Sequence, residues 1–154
     1  MEDLLKTLLE QEATLQFTAF DDGMAWKLGS AIVAEAIARD LSIAIDIRRG
    51  DRQLFHASMP GASANNDRWI DRKVRTVNRL GHSSFYIGRL LASLGTTISE
   101  KYFVSETEFA AHGGCFPIIV KGTGMIGTVT VSGLPQEEDH RLVTECIAAI
   151  LGLR

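Results

Sequence analysis

Apolar and polar positions along the chain switch repeatedly between a helical and a strand period, and the switches define the elements. Residues 2–13 place Leu4, Leu5, Leu8 and Leu9 on one side and Glu2, Lys6 and Glu10 on the other, an amphipathic helix. Leu15-Gln16-Phe17 reads as a short strand. From Met24 to Arg39, Ala25, Leu28, Gly29, Ile32, Val33, Ala36 and Ile37 recur at helical spacing behind Asp21 and Asp22, which suit an N-cap or first turn. A helix-interior glycine costs about 1 kcal/mol relative to alanine. The small residues Ala25, Gly29 and Ala36 therefore predict close approach of another backbone. Ser42 to Arg48 alternates strictly, with Ile43, Ile45 and Ile47 on one side, a half-buried strand. Gly50-Asp51 turns it into a partner strand, Gln53 to Ser58.

The second half begins with a helix from Arg68 to Leu80, capped by Asn65, Asn66 or Asp67. Ile70, Val74 and Val77 face a core, while Arg68, Arg72, Arg75 and Arg79 share another face with Lys73 alongside. That stripe is either a solvated face or an anion or subunit contact. Ser83 or Ser84 caps a further helix, Phe85 to Leu94, ended by Gly95. Residues 98–105 fit a helical turn or an edge strand, and 106–111 a connector. Cys115 to Val120 is a strand whose Pro117 predicts an edge position or a bulge. Met125 to Ser132 is almost continuously apolar or β-branched and predicts a central strand. Pro135 suits the first helical position of a last helix ending near Leu151, with Glu137, Glu138 and Asp139 at its positive end.

Composition narrows the class. The 154 residues, 45% hydrophobic and 23% charged, suit one domain spanning 1–154. A net charge of -3 gives no overall pull toward nucleic acid or an anionic membrane. No stretch approaches the length of a membrane helix, and no basic–apolar leader opens the chain, so the expected location is the cytoplasm. Cys115 and Cys146 form no CxxC and are expected as free buried thiols.

Candidate chemistry is sparse. His56, His82, His112 and His140 form no HxxxH pair and no zinc-finger spacing, so no metal site is expected. Cys115 lacks a neighbouring base and reads as a packing thiol. Lys121-Gly122-Thr123-Gly124 is no P-loop. His112-Gly113-Gly114 is the strongest local feature. It is either a turn requiring φ > 0 or a loop that brings backbone N–H groups and an imidazole to a ligand. His140, one turn into the last helix, reads as a surface residue.

The stretch HGGCFPIIVKGTGMIGTVTVSGLPQEEDH, with DDGMAWKLGSAIVAEA and WIDRKVRTVNRLGHSS, resembles the signature of a conserved family within the haem-degrading domain superfamily of HbpS-like and GlcG-like proteins. The resemblance implies an α/β (α+β), profilin-like three-layer α/β/α fold with a central antiparallel sheet. It implies a homo-oligomer, often a ring of dimers, and binding of haem or another small ligand near subunit contacts. The positions that match well enough to carry a site are Trp69, Arg72, Lys73, His112, Gly113, Gly114, Ser132, Gly133, Asp139 and His140.

The leading expectation is an oligomeric binding protein for haem or a small anionic organic molecule. Arg72 and Lys73 would hold the anionic group, Trp69 would form an apolar wall, and the loop N–H groups would complete the site. One rival is an assembly or adaptor protein of the protein-targeting type, with no ligand. The other is an enzyme using His112 or His140 as general acid or base.

Overall fold

The structure is a computed structural model and describes residues 1–153. The elements run α1 (Glu2–Thr14), α2 (Asp22–Ala38), β1 (Ala44–Arg49), β2 (Arg52–Ser58), α3 (Ala64–Leu80), α4 (Ser84–Ser93), α5 (Ile98–Tyr102), β3 (Cys115–Val120), β4 (Gly124–Ser132) and α6 (Gln136–Ile150). The four strands form one antiparallel sheet in the order β2-β1-β4-β3. Helices cover both faces, giving the three-layer α/β/α arrangement. Pro117 lies on edge strand β3, where its missing N–H faces no partner strand, and the β3–β4 register shifts at the next pair, Ile118/Ile119. Phe17 adds one parallel bridge to Val120 in place of a full strand.

The strand alternation sorts side chains onto two faces of different chemistry. Ile43, Ile45, Ile47, Phe116, Ile118, Val129 and Val131 point to α2 and α6 and make the main core with Leu28, Ile32, Val143 and Ile147. The opposite face carries Ala44, Asp46, Cys115, Thr128, Thr130 and Ser132, with Ala44 and Cys115 packed on Ile70, Val74 and Val77 of α3. Cross-strand partners pair polar with polar along this face: Asp46 lies opposite Thr130 and His56, and Arg48 opposite Thr128.

Several expectations shift in detail. Gly29 admits the Phe55 ring and not another backbone, since a Cβ there would collide with that ring. α3 starts at Ala64 with Ser63 as N-cap, whose side chain accepts from Asn65 N while Asn66 answers by accepting from Ser63 N. Residues 98–102 are helical, capped by Thr97. Ser83 caps α4, and Glu12 of α1 accepts from the Ser83 N–H and pairs with His82, so a carboxylate on the first helix is buried against the start of the fourth. Cys115 and Cys146 are free and buried; burial pushes the first thiol up to about 12 and, with Glu35 and Glu145 nearby, the second to about 11.

Candidate functional site

The polar face of the sheet opens at one end into a cavity of about 320 Å³. Its walls come from the first turns of α3 and α6, the end of β4 and the loop before β3. It is lined by Asn65, Asn66, Trp69, Lys73, His112, Ser132, Gly133, Leu134, Gln136 and Asp139. Six residues singled out from the sequence thus line one space: Trp69, Lys73, His112, Ser132, Gly133 and Asp139. Gly113 and Gly114 lie behind it, and Arg72 and His140 point elsewhere.

Lys73 is the centre of the site, and it is buried in the fold rather than lying alongside the exposed arginine stripe as expected. It is wholly buried and donates to Asp139 Oδ2 at 3.1 Å and to the Val131 carbonyl at 3.2 Å. The third N–H of the ammonium has no acceptor among the described residues. Asp139 also accepts from the Leu134 N–H at 2.9 Å, which ties α6 to the turn after β4. Burial lowers the Lys73 pKa against the pull of Asp139, and raises Asp139 to about 6 against the pull of Lys73. A buried pair of this kind costs desolvation that good geometry offsets, and removal of one partner leaves the other uncompensated.

The diglycine loop makes room for this pair. Gly114 has φ +135, and a Cβ there would collide with the Val131 carbonyl and the Lys73 ammonium. A Cβ on Gly113 would strike the Gln136 carbonyl in the first turn of α6. The Gly113 N–H donates to Gln136 Oε1 at 3.0 Å, so it is occupied and does not complete a ligand site. His112, just before, stands exposed at the cavity rim with its ring edge-on to Trp69 at 5.1 Å. Its nitrogens have no partner among the described residues. Partial burial and the cations Lys73, Arg72 and Arg89 hold its pKa below the usual histidine range, so the neutral ring dominates at pH 7.

Two further expectations are corrected. Arg72 donates twice to the Glu106 carbonyl, at 3.1 and 2.6 Å, with its guanidinium 4.5 Å from the Trp69 ring centroid. Arg75 donates to the Glu108 carbonyl, and Arg79 lies over Phe109. Most of the stripe therefore clamps the chain's own 106–109 segment. His140 is buried rather than on the surface: its Nε2 meets Gln11 Oε1 at 2.7 Å and its ring packs against Phe85 and Phe116. Burial pulls its pKa to about 4, with Arg141 adding to the shift.

Asn65, Asn66, Leu134 and Gln136 are not among the site residues expected from the sequence, because the starts of two helices and the turn after β4 meet only in the fold. Lys73 and Asp139 did carry a signal. Lys73 falls three residues after Ile70 and four before Val77; Asp139 falls three and four before Leu142 and Val143. A charged residue in phase with an apolar stripe must find a buried partner, and these two find each other.

Comparison with known proteins places the chain. The model of the haem-degrading protein HbpS-like family matches residues 20–148. The chain belongs to the HbpS-like family. Among its relatives, a UPF0303 protein of Streptomyces coelicolor is 48% identical over 94% of this chain and 92% of its own length. One from Rhizobium meliloti is 49% identical over 96% and 90%. The crystal structure of the Ybr137w protein covers 96% of this chain and 87% of its own at 34% identity, with a TM-score of 0.88. Within the HbpS-like fold, a PduOC:haem complex superposes at TM-score 0.68 and 18% identity, covering 86% of this chain and 94% of that one. HbpS itself superposes at 0.67 and 20%, covering 89% and 93%.

Proposed function

We propose that the cavity beside Lys73 binds a small organic acid, with the carboxylate on the Lys73 ammonium and the apolar body against Trp69. One observation carries this reading. Lys73 keeps an N–H without an acceptor in a cavity where both oxygens of Asp139 are already engaged. The surroundings add donors. α6 begins at this cavity without a side-chain cap, which leaves N–H groups of its first turn open, although Glu137, Glu138 and Asp139 stand in the same turn. The Asn65 carboxamide adds another donor at the rim. Donors in excess of acceptors, in a space partly withdrawn from water, favour an anion.

The family name and the PduOC:haem complex raise haem as a candidate. The lining does not suit a whole porphyrin. A macrocycle needs broad apolar walls, and only Trp69 and Leu134 supply apolar side chains among the ten lining residues. A neutral histidine stands at the rim, but the space behind it is polar.

Thermal-shift titration with acetate, benzoate and haemin, alongside native mass spectrometry of the purified protein, tests the reading. Benzoate should raise Tm in wild type and fail to do so in Asn65→Asp, which adds a repelling charge at the exposed rim without touching the core. Stabilisation by haemin together with a co-purifying haem mass, and none by either acid, would overturn it.

A second reading, self-association, is favoured by apolar side chains left in water. Trp26 is 68% exposed, Ile37 66% and Phe103 91%. Light scattering on wild type, Trp26→Glu and Phe103→Glu tests it; a monomeric wild type would end it.

A further inference from the structure

A second cleft, of about 220 Å³, lies on the other side of His112 and is lined in part by Arg72, Arg89, Thr96, Thr97 and Glu106. His112 borders both this cleft and the cavity beside Lys73. The local chain explains why. Gly88 of α4 has no side chain, and a Cβ there would collide with the Ala111 carbonyl, so the 110–112 segment presses directly on α4. That contact sets His112 beside the next residue of the helix, Arg89.

Arg89 is the unexplained group in this cleft. Its guanidinium makes no hydrogen bond and no ion pair among the described residues. Its Nε is buried and unsatisfied, and the guanidinium lies 5.8 Å from the centroid of the Phe85 ring. A buried donor of this kind is destabilising when left without an acceptor. Arg72 faces the same space with Nη1 unengaged, because its bonds to Glu106 use Nε and Nη2. The neighbouring carboxylate of Glu106 does not supply the missing partner: its side chain accepts from Ser99. Two guanidinium groups, one wholly unpaired, bound a cleft that shares His112 as a wall with a cavity rich in donors.

We propose that Arg89 and Arg72 form an oxyanion subsite for the second acidic group of the ligand held beside Lys73, so that the natural ligand is a two-acid molecule whose middle passes His112. This rests on the small-acid reading of the first cavity. Arginine grips a carboxylate or phosphoryl group through paired N–H donors, which a single ammonium cannot do. The two subsites therefore divide the work: Lys73 and the start of α6 fix one end, the arginines fix the other, and the distance between them selects ligand length.

Calorimetric titration with α,ω-dicarboxylates of three to eight carbons, each beside the monocarboxylate of equal length, tests this. Phosphonocarboxylates of the same lengths tell a second carboxylate from a phosphoryl group. One chain length should bind about tenfold tighter than its monoacid, the scale of one well-made charged contact. Arg89→Gln should reduce that diacid to the monoacid's affinity while leaving the monoacid unchanged, and Arg89→Lys should restore part of the advantage. Because Arg89 makes no hydrogen bond and no ion pair among the described residues, its replacement should not lower Tm. Monoacid binding without any diacid advantage would overturn the subsite alone. An advantage that survives in Arg89→Gln would also overturn it. Absence of binding by every acid would overturn both the subsite and the small-acid reading.

Discussion

The two faces of the sheet are built from the same strands and hold their helices by different physics. Toward α2 and α6, the contact is hydrocarbon: Ile45 and Ile47 of β1 stand opposite Val131 and Val129 of β4, all wholly buried. Toward α3, β1 presents Asp46 and Arg48, and β4 presents Thr128, Thr130 and Ser132. Dispersion and burial on the first face are non-directional and graded. The second face relies on charges that must be matched. Asp46 is completely buried beneath Arg48 at 2.6 Å, Gln53 at 2.7 Å and His56 at 3.3 Å, and Arg48 continues to Asp71 of α3. The candidate site belongs to the second face. A cavity can persist there because polar groups hold the walls without filling the space.

The comparison breaks most sharply at the buried ion pair. Asp139→Ala leaves the Lys73 ammonium and the Leu134 N–H unsatisfied, and should cost about 3–5 kcal/mol in urea unfolding. A Lys73→Met, Asp139→Leu double variant should recover most of that loss, because neither charge remains to be desolvated. Additive losses would mean that the polar face is held by shape and not by charge matching.

Acid titration comes next, and it sets neighbours on α6 against each other. Asp139 belongs to the polar side, while His140 packs against Phe116 of the apolar core. The folded pKa of Asp139 is raised to about 6, so its contribution is full below the unfolded carboxylate value and is lost as pH rises through 6. That of His140 is lowered to about 4, so its contribution is present above the unfolded value of 6.5 and is lost as pH falls through 4. Each effect is on the order of 3 kcal/mol, with opposite sign across the same window. His140→Gln removes only the histidine effect. Its stability relative to wild type should improve steadily as pH drops from 6.5 to 4, read from urea midpoints at half-unit steps. A constant difference would show that His140 already carries its proton in the fold.

The apolar face should respond in small, proportionate steps. Ile45→Val removes one methylene from a packed site and should cost about 1 kcal/mol, with no change in acid binding. A larger loss, or any loss of ligand, would mean that the faces are mechanically coupled through the sheet.

What could be read from the sequence divides along the same line. Hydrocarbon faces announce themselves by period, so Ile43-Ile45-Ile47, the Ile70-Val74-Val77 stripe and the central position of β4 are legible in the sequence. The edge position of β3 was legible from Pro117, because a missing N–H is a topological statement. Polar partners were not. The arginine stripe was visible, but the Glu106 and Glu108 carbonyls that receive it are backbone atoms with no sequence signature. His140 looked exposed because its partner, Gln11, lies 129 residues away. The grouping of Trp69, Lys73, His112, Ser132, Gly133 and Asp139 followed from the family signature; Asn65, Asn66, Leu134 and Gln136 joined it only through folding.

The smallest effect concerns the clamp that holds the 106–109 segment against α3. Arg75 is exposed and donates one hydrogen bond to the Glu108 carbonyl at 3.0 Å. Arg75→Ala should cost less than about 1 kcal/mol overall, because water replaces the lost donor at an exposed carbonyl. Locally it should matter more. The Phe109 N–H is held by the Ser105 carbonyl within the same turn, and the Ala110 N–H by the Arg72 carbonyl. Hydrogen exchange at these two amides should quicken in the variant, while exchange in β1 and β4 stays at the wild-type rate. Arg72→Ala removes two donors to the Glu106 carbonyl and a cation stacked on Trp69, so it should quicken the same amides further and also weaken acid binding. If Arg75→Ala weakened binding as much as Arg72→Ala, the effect of Arg72 would come from loop order. If binding fell only with Arg72, the guanidinium beside Trp69 would be acting on the ligand itself.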